Sequence, residues 1–205
     1  MTADPIDTPL GPARVFTTEP PGDVVGTLVL GSGAGGGVDA PDLVAVAHAA
    51  ADAGWRVLRV EQPWRVAGKR IAPAPARLDV GWTAVLERLG DDGVLTGPLV
   101  FGGRSAGARV ACRTATALGA TGVVALAFPL HPPGRPEKSR ADELIGAGVP
   151  VLVVQGETDA FGRPQDVTAV LAGRPDASVY AVPGDHSLKQ NPALVAAAVL
   201  HWLAS

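Results

Sequence analysis

The chain has 205 residues, a length that favours one domain with volume for a full core. Hydrophobic residues make up 47% and charged residues 18%, a globular balance, and the net charge of −3 gives no basic footprint for nucleic acid. One cysteine excludes an internal disulfide framework, and no run of 18 apolar residues exists to span a membrane.

Residues 1–12 carry Asp4 and Asp7 and lack an apolar stretch, so they read as a flexible N-terminus and not as a secretory leader. With Cys112 alone, this points to a cytoplasmic protein. Residues 13–205 read as a single domain. Residues 14–18 and 24–30 are strand-like runs separated by Pro20-Pro21-Gly22-Asp23, which predicts an antiparallel hairpin. Beyond them the pattern alternates. A helix is expected over 41–53, with Asp39 as N-cap and Gly54 as stop, followed by a strand over 55–60. Helix 77–89 precedes strand 99–102, and helix 105–118, ended by Gly119, precedes strand 123–128. Strand 149–155, helix 164–171 and strand 178–182 follow, and helix 191–204 closes the chain with Asn191 as cap and Pro192 at its first position. This alternation predicts an α/β fold with a mostly parallel sheet of about seven strands, helices on both faces and at most a minimal lid. Segments 63–75 and 130–140 interrupt it. Both follow strands, which places them at the carboxyl edge of a parallel sheet, where ligands bind.

The most informative motif is Gly103-Arg104-Ser105-Ala106-Gly107, between a short apolar strand and a helix of small residues. A Gly-x-Ser-x-Gly at a strand-to-helix turn is a nucleophile elbow: the turn is sharp, its neighbours must be tiny, and the hydroxyl stands above the sheet edge. A serine hydroxyl is a weak nucleophile and needs a base, and the base needs a carboxylate to fix its tautomer. Asp159 follows one predicted strand and His186 the next, in the chain order Ser, Asp, His. Glu157 competes with Asp159, but the acid needs a loop offset to reach the histidine. Asp185 fits a turn, and His48 and His201 fall within helices. Cys112 reads as a small buried apolar residue.

Gly31-Ser32-Gly33-Ala34-Gly35-Gly36-Gly37 follows a strand and has two readings. In a hydrolase its backbone supplies one oxyanion donor, the Ala34 N–H, beside the Ala106 N–H after the nucleophile. Gly31, Gly33 and Gly36 also match Gly-x-Gly-x-x-Gly, with Glu61 where a ribose-binding acid would sit. The delayed helix start at Pro41 and the strand run before the loop weigh against dinucleotide binding.

Together these segments resemble the α/β-hydrolase superfamily, in particular its compact dienelactone-hydrolase-like members. They are similar above all to a small family that includes testis-expressed hydrolase-like proteins and the hydrolase-like domain of a chromatin-complex subunit. The stretches that carry this are residues 102–109, the Phe128-Pro129-Leu130-His131-Pro132-Pro133-Gly134-Arg135 run with its continuation to Lys138, residues 155–162, and Gly184-Asp185-His186-Ser187. The resemblance implies Ser105 as nucleophile, Asp159 as acid and His186 as base. The family's oxyanion loop often begins His-Gly, where this chain has Ser32-Gly33. The expectation is a serine hydrolase of small esters or thioesters, working through an acyl-enzyme with no cofactor and no metal, on a small-molecule substrate. Arg104, His131 and Arg135 are the candidate substrate-binding residues, and an anionic substrate group is expected near Arg104 and the rim-loop cations Arg135, Lys138 and Arg140; a solvated charged loop, with Arg104 in a structural pair, is the plainer alternative. A non-catalytic binding protein on the same fold is the other functional reading.

Overall fold

The computed structural model describes residues 3–205. One eight-stranded sheet organises them, in the order β1-β2-β4-β3-β5-β6-β7-β8. The strands are β1 (Ala3–Ile6), β2 (Ala13–Thr18), β3 (Gly26–Gly31), β4 (Trp55–Glu61), β5 (Leu99–Arg104), β6 (Gly122–Leu126), β7 (Val151–Gly156) and β8 (Ala177–Val182). The helices are α1 (Pro41–Asp52), α2 (Pro63–Val66), α3 (Pro75–Asp91), α4 (Ala106–Thr114), α5 (Ala141–Ile145), α6 (Pro164–Leu171) and α7 (Pro192–Leu203). From β4 to β8 every neighbouring pair is parallel, while β1 and β2 add antiparallel strands at one edge. This is the α/β-hydrolase arrangement, with one strand more than the sequence suggested.

Strand alternation sorts the core into two layers. On one face, Leu28, Leu30, Val57, Val124 and Val154 pack against α1 and α7. On the other, Val29, Leu58, Phe101, Val123 and Val153 pack against α3, α4 and α6. The central strands are covered on both faces, so they are continuous apolar runs. Trp82 of α3 meets Phe101 edge-on, with ring centroids 5.7 Å apart. Strand β8 closes the second edge of the sheet, and Ser178, Tyr180 and Ala181 on it are exposed. No helix among the described residues is long and apolar enough to cross a membrane.

Two expectations need correction. The hairpin over 14–18 and 24–30 does not form: β2 pairs antiparallel with β4, which lies between β2 and β3. Pro20 to Asp23 does reverse the chain, but a turn signal does not say which strand fills the neighbouring slot. Within the segment 1–12, expected to be flexible, β1 pairs with β2 through Ala3↔Phe16 to Ile6↔Ala13; residues 1 and 2 lie outside the described residues. Helix caps also shift slightly. Ala40, not Asp39, caps α1, whereas Asn191 caps α7 as expected, its side chain accepting from Leu194 N–H at 3.1 Å.

Candidate active site

Ser105 stands between β5 and α4 with φ 54° and ψ −108°, a region that costs a non-glycine residue about 1–3 kcal/mol. Backbone bonds hold it there: Ser105 N–H donates to Leu126 O at 2.9 Å, and Ser105 O accepts from Arg109 N–H at 3.1 Å. The flanking glycines have one shared cause. Cβ atoms at Gly103 or Gly107 would each overlap the Gly31 carbonyl oxygen, and the Gly107 Cβ would lie 2.5 Å from the Gly31 carbonyl carbon. Gly103 also has φ +147°, which favours glycine. Close approach of the elbow to β3 is therefore what demands small residues around the serine.

The loops after β7 and β8 bring two further side chains to Ser105. His186 Nε2 lies 2.9 Å from Ser105 Oγ, and His186 Nδ1 lies 2.8 Å from Asp159 Oδ2. A carboxylate only accepts, so Nδ1–H donates to Asp159 and Nε2 is left to accept the serine O–H. The two loops are knitted together: Thr158 N–H and Oγ both donate to Gly184 O at 3.0 Å. Phe161 stacks on the His186 ring at 4.2 Å between centroids. Behind the histidine, Leu188 (φ 52°) is buried and anchors the loop.

Asp159 is buried and each of its oxygens has a partner. Oδ1 accepts from Phe161 N–H at 2.8 Å, and Oδ2 accepts from Gln155 Nε2 at 2.9 Å besides His186. Gln155, also buried, directs the same amide at Gly162 O (2.8 Å) and Phe128 O (3.2 Å). Sequence reasoning did not single Gln155 out. The available signal was an amide side chain at the end of an otherwise aliphatic buried strand. The competing Glu157 is exposed, and Asp185 accepts from Ser187 N–H and Oγ in a local turn. Those bonds, with little desolvation against them, hold the Asp185 carboxyl below the usual carboxylate range.

Above Ser105 opens a cleft of about 570 Å³. Gly33, Ala34 and Gly35 line it together with Ser105 and Ala106. The Ala106 N–H is the first of α4, one of the donors that a helix start leaves without an intrahelical partner. The glycine-rich loop serves packing at several points: a Cβ at Gly31 would lie 3.0 Å from Gly107 Cα, and one at Gly36 would overlap the Arg104 guanidinium. Glu61, at the end of β4, pairs with Arg14 at 3.6 Å.

The expected substrate-binding residues separate. Arg104 lines the cleft, but its Nη1 donates to Ser187 O at 3.1 Å and lies 3.6 Å from the fully buried Asp42. Burial pushes the Asp42 carboxyl up, and the Arg104 charge pulls part of that back. Neither His131 nor Arg135 lines the cleft: His131 Nδ1 lies 3.0 Å from Pro132 O, and Arg135 is exposed. Arg140, expected on the rim, does line it, and so does Arg109, which sequence reasoning did not place there. Arg109 makes two bonds to Glu143, at 2.7 and 2.5 Å, and Glu143 also binds Arg113. Cys112 is buried, and desolvation, with Glu143 adding to it, pushes its thiol up to about 12.

The fold superposes on those of other solved proteins. A serine hydrolase homologue from Coxiella burnetii superposes with TM-score 0.78 at 17% identity, over 97% of this chain and 94% of its own. A lidless serine hydrolase from Xanthomonas campestris gives 0.73 at 22% identity, over 100% and 95%. Est1E from Butyrivibrio proteoclasticus with ferulic acid bound gives 0.81 at 16% identity, over 99% and 100%. Comparison with curated protein sequences gives no significant match. Residues 25–195 match the family described as alpha/beta hydrolase domain, and the chain belongs to that family.

Proposed function

We propose that the protein is a serine hydrolase cleaving small ester or thioester bonds through Ser105, His186 and Asp159. The observation that carries this is the unbroken hydrogen-bonded line from Ser105 Oγ through both ring nitrogens of His186 to Asp159. Ser105 Oγ attacks the carbonyl carbon while His186 Nε2 takes its proton. The Ala34 and Ala106 N–H groups stabilise the resulting oxyanion. His186 then protonates the leaving group, and the serine is left acylated. Water, deprotonated by His186, attacks the acyl carbon; the acid departs and Ser105 recovers its proton. Asp159, held by Gln155 and Phe161 N–H, keeps the histidine in the required tautomer.

Esterase structures of similar fold support the reaction class, and the Leu130 to Gly134 run supports kinship with the testis-expressed hydrolase-like proteins. A lone buried thiol supports a cytoplasmic setting.

A fluorophosphonate probe tests the reading. The folded protein should form one adduct, on Ser105, and Ser105→Ala should abolish both labelling and turnover of p-nitrophenyl acetate. Folded protein that takes no label and cleaves no ester would instead identify a non-catalytic binding protein on this fold.

A further inference from the structure

We propose that the cleft is built for substrates carrying a carboxylate a few atoms from the scissile carbonyl, with Arg140 receiving it, resting on the serine-hydrolase reading above. Three arginines line the cleft, and two are already matched. Arg104 faces Asp42 and the Ser187 carbonyl. Arg109 and Arg113 share Glu143 and Asp79, two cations with two carboxylates. Arg140 differs. Its guanidinium makes one hydrogen bond, from Nη1 to Pro129 O at 2.9 Å, and no carboxylate among the described residues lies within ion-pair distance.

The position of Arg140 is fixed as well as its charge. Its N–H donates to Leu130 O at 2.7 Å, so the backbone at the foot of α5 is held against the cleft wall. It is half-buried, and desolvation followed by the nearby Arg109 charge lowers its affinity for the proton, with Glu143 returning part. A guanidinium under these conditions gains from a carboxylate, which can bind its free edge through two charge-assisted bonds. Arg140 lines the same cleft as Ser105, and the Arg109 charge that it feels sits one helical turn along α4 from the serine. The cleft lining also carries Pro129, Ala160 and Phe161, which suit an apolar spacer. Asp185, the carboxylate on this wall, is engaged by Ser187.

The test uses two matched ester pairs. p-Nitrophenyl hydrogen glutarate against p-nitrophenyl valerate places the carboxylate on the acyl side. 4-Carboxyphenyl acetate against phenyl acetate places it on the leaving group. In one pair the acidic member should be preferred by about tenfold or more in kcat/KM. Arg140→Gln should remove most of that preference, and Arg140→Lys should retain part of it. Absence of preference in both pairs, or a preference that Arg140→Gln keeps, overturns the inference. Binding gives a readout that needs no turnover. Glutarate titrated into Ser105→Ala should bind about tenfold more tightly than into Ser105→Ala/Arg140→Gln. No binding, or equal binding to both, overturns the inference as well. Missing fluorophosphonate labelling would sink the hydrolase reading alone, so the two failures are distinguishable.

Discussion

Gly107→Ala is the sharpest perturbation the fold offers. The added methyl would overlap the Gly31 carbonyl oxygen and sit 2.5 Å from its carbon and 3.0 Å from Gly31 Cα. All three neighbours are backbone, so no rotamer change relieves the clash. Either β3 distorts or α4 moves away by about 1 Å to restore van der Waals contact. Overpacking of this kind costs about 1–3 kcal/mol. Because α4 begins at Ala106, its withdrawal carries Ser105 with it and lengthens the 2.9 Å bond to His186. A displacement of about 1 Å at reacting groups lowers turnover about 10²-fold. Urea unfolding monitored by tryptophan fluorescence reads the stability, and p-nitrophenyl acetate hydrolysis with fluorophosphonate labelling reads the site. Gly173→Ala is the control: nothing lies within 4 Å of its Cβ, and its midpoint should move by less than about 0.5 kcal/mol equivalent. If Gly107→Ala shows the unfolding midpoint and turnover of the unaltered chain, the close approach of elbow and β3 is not what shapes the site.

Gln155→Leu keeps the volume but removes the amide donor from Asp159, Gly162 O and Phe128 O. Losing a buried bond to a charged acceptor and stranding the Gly162 carbonyl, while Phe128 O keeps the Leu130 N–H, costs on the order of 3 kcal/mol, read by urea unfolding, and kcat should fall more than KM changes. An unmoved midpoint would show that Gln155 is dispensable to the acid. Glu143 is held below the usual carboxylate range: desolvation works against it, but the bonds and charges of Arg109 and Arg113 outweigh that. Its contribution to stability is thus present above 4.5 and is lost as pH falls through the lowered folded value. The stability gap between the unaltered chain and Glu143→Gln should therefore narrow between pH 6 and pH 3, and a gap independent of pH would contradict the assigned pairing.

Much of the fold was legible because the central strands are covered on both faces, so each appears as an unbroken aliphatic run such as Val151 to Val154. Ser105 and Asp159 were legible for a related reason: each follows such a run, His186 follows the shorter-patterned edge strand β8, and parallel topology sends all three loops to one edge. What stayed hidden depends on contacts between distant segments. Nothing in residues 14–30 announces that β4 inserts between β2 and β3. β1, with Asp4 and Pro5 in a four-residue edge strand, has too little pattern to register. Arg109 looks like an ordinary helix charge, and Arg140 like one rim cation among several, until Glu143 pairs with Arg109 and not with Arg140. Arg135 and Lys138 drew attention through density of charge, yet they lie on the exposed tip of the loop.

The placement of β8 has a consequence for how this protein fails. The serine comes from β5, well inside the sheet, whereas the histidine follows the outermost strand, which pairs only with β7 and so leaves its ladder open on the other side. Edge elements open locally at lower free energy than the strands between them. Fraying of β8 would carry His186 away while Ser105 stays seated on its glycines. Mild heat or denaturant would then silence the protein before the core tryptophans report any change. Amide exchange along β8 would mark the onset of that silence.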